Sequence, residues 1–318
     1  MIGYNSKFIG DNLEVKFPQF TAAQSSDIAP CADDNFGEYK YLHHSIFLSK
    51  KRKFPYFTAT NINGTLIQSI KRNELFDGGS DKWEMDKRGV AYQFGSALYS
   101  AEGSDFEKGH MTKREDPQWG ETIEIARKAA QSTFFYTNCV PQVKELNGVE
   151  WRKLETYILN KVAKPENLLI SVFTGPVLLD SDPLFITNVE GQSVKLPKYF
   201  WKIVYYSEDG ESLKRVGFLM GQSGLLEKKK IVVSEVEKSK RLMSFKTQAF
   251  FEGFEDAATF QVSISSIEEL TGLKFHPAKE PYTTNKSTKL ILSQVNIKVE
   301  AKMVSGLPIE YEFENIRL

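Results

Sequence analysis

The chain has 318 residues, 41% of them hydrophobic, enough to bury the core of one large domain or two small ones. Its 41 basic and 41 acidic residues balance, which argues against a permanent nucleic-acid coat but not against an enzyme that releases a polymer after each event. Two cysteines, Cys31 and Cys139, exclude a disulfide scaffold, and no CxxC or Cys/His grouping points to zinc. The N-terminus lacks a basic start followed by an apolar stretch, and no long apolar run exists. The expectation is a soluble, cytoplasmic chain with no membrane contact, export by a signal-free route remaining open.

Residues 1–38 read as irregular: polar, punctuated by proline and ending in the turn-rich DDNFGE. YKYLHHSIFLS (39–49) reads as a strand, and KKRKF as a short basic turn. FPYFTATNINGTLIQSI (54–70) reads as a strand pair, because aromatic and β-branched residues flank Asn63-Gly64, a strong hairpin signal. Residues 71–105 are loop-rich. GETIEIARKAAQS (120–132) has helical spacing, with Ile123, Ala126 and Ala130 on one face. TFFYTNCVPQ (133–142) reads as a short β segment stopped by Pro141. The clearest helix is NGVEWRKLETYILNKV (147–162), where Trp151, Leu154, Ile158 and Val162 recur at intervals of three and four.

NLLISVFTGPVLL (167–179) reads as an apolar strand broken at Gly175-Pro176. PKYFWKIVYYS (197–207) and KRVGFLMGQ (214–222) read as two more strands. KKKIVVSEVEKSKR (228–241) is a lysine-rich solvated face, and IEELTGLKF (267–275) a short helix with a glycine stop. The alternating KLILSQVNIKVEAKMV (289–304) predicts an extra strand or hairpin. Strands and helices mix without a regular βαβ rhythm. That favours an α+β fold, a mostly antiparallel sheet flanked by helices, over a doubly wound parallel one.

The four histidines are His43, His44, His110 and His276. His110 lies within FEKGHMTKRED, and a lone histidine among charges is usually solvated. Its neighbours change that reading. EKGHMTKREDPQWG (107–120) and TNCVPQVKELNGVEWRKLE (137–155) resemble the signature of the DNA/RNA non-specific endonucleases, a family of ββα-metal, or His-Me finger, nucleases. The family pattern is D-R-G-H, then T-N, P-Q, L-N and W-x-x-L-E. The matching residues are Gly109-His110, Thr137-Asn138, Pro141-Gln142, Leu146-Asn147 and Trp151 with Leu154-Glu155. FTATNING, VFTGPVL, PKYFWKIV and IEELTGLKF extend the likeness. It implies an endonuclease domain over residues 39–277 with a ββα-metal finger. Outside that range, the irregular segment 1–38 is expected to pack on the domain, and residues 278–318, which have no family counterpart, to form a strand or hairpin.

The resemblance implies hydrolysis of phosphodiester bonds in DNA and RNA with little sequence preference, leaving 5′-phosphate ends. His110 would be the general base, since an imidazole can take a proton near neutral pH. Asn147 would bind the one Mg²⁺ or Mn²⁺ directly; a single amide oxygen suits an ion that keeps several waters. Glu155 lies eight residues further on, about 80° round and about 12 Å along an ideal helix. That casts it, like Glu107, as a group holding the metal's water. Asn138 would shape the site. Arg72 is the candidate for the family's phosphate-binding arginine. Lys113 and Arg114 track the phosphate backbone or are simply solvated.

The family's D-R-G-H has become Glu107-Lys108-Gly109-His110. Glu107 keeps the charge with one more methylene, whereas Lys108, a substrate-binding candidate, cannot reproduce an arginine fork. Cys139, the other histidines, Trp83, Trp119 and Trp201 read as packed structural residues. The rival functions are a non-catalytic nucleic-acid-binding or regulatory protein on the same scaffold, and a hydrolase of another phosphodiester. Homodimers are common in the family. The danger of such an activity to its host suggests a toxin, a phage-defence effector, or an enzyme held by an unidentified inhibitor or activator.

Overall fold

A computed structural model describes residues 3–163, 167–233, 254–284, 286–294 and 311–318. Its strands are β1 (Glu38–Lys40), β2 (His44–Leu48), β3 (Pro55–Asn63), β4 (Glu107–His110), β5 (Cys139–Gln142), β6 (Leu169–Pro176), β7 (Tyr199–Tyr206), β8 (Lys214–Gly221), β9 (Phe260–Val262), β10 (Thr288–Lys289), β11 (Ile291–Gln294) and β12 (Tyr311–Glu314). Eight form one sheet, ordered β1-β2-β3-β6-β7-β8-β9-β10. Each neighbouring pair is antiparallel. With the helices packed on it, this is the α+β arrangement the sequence predicts.

The central strands are buried on both faces, which is why they read as nearly continuous apolar runs. Along β7, Phe200, Val204 and Tyr206 join one core cluster, while Trp201, Ile203 and Tyr205 join the other. The first face receives Trp151, Leu154 and Ile158. The second receives Ile264 and Ile267, with Tyr4 and Val15 from the N-terminal segment. Lys202 breaks the apolar pattern of the first face and is 1% exposed.

The helices are α1 (Ala22–Asp27), α2 (Ser96–Tyr99), α3 (Ile123–Gln131), α4 (Arg152–Tyr157), α5 (Ser223–Lys228) and α6 (Ile264–Thr271). Local chemistry sets their ends. The Thr21 and Gln24 side chains cap α1 reciprocally. The Ser263 hydroxyl accepts from Ser266 N at the start of α6, and Gly272 ends that helix at φ +73°. α4 continues at both ends into π-turns, Leu146–Trp151 and Ile158–Ala163.

Several expectations change. Residues 39–49 form two strands separated by residues 41–43, where His43 has φ +69°. Asn63-Gly64 makes no hairpin: β3 ends there and pairs with β6 instead. A Cβ on Gly64 would lie 2.0 Å from the Ala163 carbonyl oxygen, so the glycine serves a close approach. Ile123 is 54% exposed, and the buried face of α3 is Ala126, Ala129 and Ala130. The segment 133–142 begins with two 3₁₀ turns before β5, and Pro141 lies within that strand. A two-stranded ribbon has an open edge that tolerates a missing N–H. β6 runs through Gly175-Pro176, which pair with Trp201 and Phe200. Val162's side chain and residues 234–241 and 295–304 fall outside the description.

β12 pairs with β11, and the buried Phe313 ring lies 5.0 Å from that of Tyr157, the last residue of α4. Among the described residues, no helix is long and apolar enough to cross a membrane.

Candidate active site

The site lies in the excursion the chain makes between β3 and β6. β4 and β5 form a separate antiparallel ribbon, with His110 opposite Cys139 and Lys108 opposite Pro141. The helical stretch beginning at Leu146 follows, giving the order strand, strand, helix. Gln222, fully buried at the end of β8, fastens the ribbon to the main sheet. Its amide donates to Pro141 O (3.1 Å), and its oxygen accepts from Val143 N (2.9 Å). Gly109 is needed here, because a Cβ would meet Gln142 Oε1 at 2.0 Å.

A cleft of about 760 Å³ opens over this unit. It gathers Arg72, Glu107, Lys108, His110, Lys113, Arg114, Asn147 and Glu155, all predicted from sequence. Asn138 stands behind it. That amide is fully buried, accepts from Thr112 N (2.9 Å) and donates to Thr112 O and Thr133 O (both 2.9 Å). It therefore fixes the backbone that follows His110.

His110 Nε2 is buried without a hydrogen-bond partner. The Trp83 and Phe134 rings wedge the imidazole at 4.6 and 4.9 Å between centres. Burial, then the Arg72 charge, pushes its pKa down to about 3, so the ring is neutral across the physiological range. Arg72 donates through Nε to Asp81 Oδ1 (2.9 Å) and pairs again through Nη2 with Asp81 Oδ2. Its guanidinium is thereby held at the rim of the cleft.

Asn147 Nδ2 donates to Glu107 Oε2 (2.8 Å). This contact fixes the sense of the amide and leaves Oδ1 without a hydrogen-bond partner among the described residues. No group of three or more His, Cys, Asp or Glu side chains is placed to hold a metal among the described residues. One hard amide oxygen beside a carboxylate nevertheless fits a cation that retains most of its water, such as Mg²⁺.

Glu155 sits deeper, 7% exposed, with Lys202 Nζ 3.6 Å from Oε1. Burial raises its carboxyl to about 7 against the pull of Lys202 and Lys113. Nearby Asp116 rises to about 6 for the same reason. Asn147 lies in the π-turn Leu146–Trp151, so the rotation worked out for an ideal α-helix between it and Glu155 does not apply. Lys113 and Arg114 are not solvated loop residues. Lys113 donates to Thr156 Oγ1 (3.3 Å), and Arg114 to Ile70 O (3.0 Å) and Gln118 Oε1 (2.8 Å).

Sequence reasoning missed Asp81, Glu115, Lys144 and Arg152, which also line the cleft; Trp83, read as a packed residue, does pack on Phe134 but lines the cleft as well. Only Lys202 left a readable signal, a charge in the middle of an apolar strand. Trp201 is fully buried, and Trp119 stacks on His43 at 3.5 Å. His44 is buried against Tyr41, and neither it, His43 nor His276 lines the cleft. Burial raises the Cys139 thiol to about 12, which makes it a packed residue and a poor nucleophile.

The family model for DNA/RNA non-specific endonucleases matches residues 32–281. A 31% identical relative, an uncharacterized Sinorhizobium fredii protein named y4fB, aligns over 69% of this chain and 32% of its own length. Human mitochondrial endonuclease G is 25% identical over 54% of this chain and 60% of its own. Human mitochondrial nuclease EXOG is 27% identical over 74% and 56%. The chain thus spans between about a third and three-fifths of these curated relatives. A chain of the solved EndoG/EndoGI complex superposes with a TM-score of 0.50 at 16% identity, over 75% of this chain and 84% of that one, a likeness of fold. Matched by that family model over most of its length, this chain belongs to the DNA/RNA non-specific endonuclease family.

Proposed function

We propose that the chain hydrolyses phosphodiester bonds of DNA and RNA with little sequence preference. The observation that carries this is the convergence of an unpartnered, neutral His110 and the oriented Asn147 amide in one cation-lined cleft. His110 accepts the proton of the attacking water, its neutral ring having no other partner for Nε2 among the described residues. Arg72, steadied by Asp81, offers guanidinium N–H groups to the phosphate, where charge builds during the attack. Lys108 adds a second positive charge, and Asn138 keeps His110 in place from behind. Contacts to phosphate carry no sequence information, which accounts for the breadth.

Asn147 Oδ1 would hold one Mg²⁺ or Mn²⁺, with Glu107 and Glu155 supporting it through water. Such an ion, when bound, polarises the phosphoryl oxygen and stabilises the leaving oxygen. Glu107 also orients the amide, and the Lys202 side chain lies against Glu155.

An activity this broad needs restraint. A protein filling the cleft would supply it, as EndoG is inhibited in the EndoG/EndoGI complex; a toxin or phage-defence role fits the same logic. The test is degradation of plasmid and RNA by purified protein with Mg²⁺, Mn²⁺ or chelator. Cleavage is expected to need metal and to fall about 10²–10⁴-fold in His110→Ala. Undiminished cleavage by that variant would remove His110 from the role of base.

A further inference from the structure

We propose that Trp83 and Tyr99 form a stacking platform for unpaired bases, so that the cleft cuts single-stranded DNA and RNA in preference to duplex. This rests on the nuclease reading above and adds the form of the substrate to it. Trp151 and Trp201 are buried to 1% or less, whereas Trp83 and Tyr99 are half-buried and line the cleft. Trp83 lies against His110, and Tyr136 bridges Trp83 to Tyr99 at ring distances of 5.8 and 6.0 Å. Two cleft-lining rings, Trp83 beside His110 and Tyr99 beyond it, thus share the buried Tyr136 as their backing.

Cations are interleaved with it. Lys108 Nζ lies 6.0 Å from the Trp83 ring and 5.5 Å from the Tyr99 ring, near the outer limit of a cation–π contact. An ammonium held so loosely can turn to a phosphate and leave both ring faces to a base. Lys144 and Arg152 are exposed, line the cleft and have no ion-pair partner among the described residues. Aromatic faces alternating with positive charge match what a single strand offers: bases with free π-faces on a charged backbone. In a duplex those faces are already stacked on one another, and a base must leave the helix to reach such a wall.

The test uses the whole protein with Mg²⁺ or Mn²⁺ and end-labelled single-stranded oligonucleotides, intact or carrying one abasic nucleotide. Cleavage beside the abasic position is expected to drop on the order of tenfold, and the same sequence in duplex to be cut more slowly than the single strand. This arm needs no variant. Trp83→Leu and Tyr99→Leu should slow cleavage of the intact strand and abolish the abasic penalty; Trp83→Phe and Tyr99→Phe should keep it. With chelator present, the intact strand should quench tryptophan emission in the wild type, and Trp83→Phe should bind with that quench lost. Equal cleavage at intact and abasic positions, or faster cleavage of duplex, overturns the platform while the nuclease reading stands. Quenching without cleavage of any substrate would support the platform and overturn the nuclease reading instead.

Discussion

Two asparagines of one signature do different work. Asn138 is fully buried with three hydrogen bonds to backbone, whereas Asn147 faces the cleft with one bond to Glu107. Asn138→Ala leaves buried backbone groups unpaired and is expected to cost about 3 kcal/mol of stability, read by urea unfolding. Asn147→Ala should leave stability within about 0.5 kcal/mol of wild type and lower cleavage by about a hundredfold or more. His44 gives a prediction in pH. Burial depresses its pKa to about 3 against 6.5 unfolded. Its contribution is complete above pH 6.5 and is lost as pH falls, because only the unfolded chain then takes up the proton. Glu155 and Asp116, with raised values, act in the opposite sense. His44→Phe, which keeps a ring against Tyr41, should therefore gain on wild type by about 1.4 kcal/mol for each pH unit below 6.5, measured by unfolding at several pH values. At this scale the sequence disclosed residues whose neighbours in the chain are also neighbours in the motif. Asp81 and Trp83 come from a loop whose own residues carry no such pattern, so only folding brings them to His110.

The ribbon that carries His110 is short, and its packing is close. Gly109→Ala would press a methyl group on the Gln142 side chain and is expected to cost about 1–3 kcal/mol. Adding Gln142→Ala should restore part of that loss, so thermal unfolding of the two single variants and the double variant would show a favourable coupling. The main-sheet strands were legible because burial on both faces writes them as apolar runs. The Asn63-Gly64 hairpin was misread because a turn signal is local. It marks where β3 stops and says nothing of β6 as the partner. α3 was located correctly and Ala126 and Ala130 lie on the buried face as expected, but the apolar Ile123 stays outside and Ala129 takes its place. Hydrophobicity alone could not reveal that choice, which depends on the close fit of small residues against Ile70, Leu75 and Phe134.

A net charge of zero conceals a local imbalance: the cleft is lined by six cations and four acids, and Arg72 and Arg114 already pair with two of those acids. Binding of a single strand should accordingly weaken with salt. Lys144→Gln and Arg152→Gln should each reduce the log–log slope by about 0.7, measured by fluorescence anisotropy with chelator present. An unchanged slope would place the strand elsewhere. The α+β class was legible from the mix of elements, but strand order was not. The β3–β6 pairing joins residues as far apart as Asn63 and Leu169, and no local pattern encodes a contact at that separation.

That pairing has a consequence for how the molecule can change. The chain leaves the sheet after Asn63 and returns at Leu169, its immediate neighbour, with Gly64 N donating to Leu168 O. Every residue lining the cleft falls between these points. The active site is in effect a cassette whose two ends plug into adjacent slots of a permanent frame. Its contents can change while the frame keeps its own register.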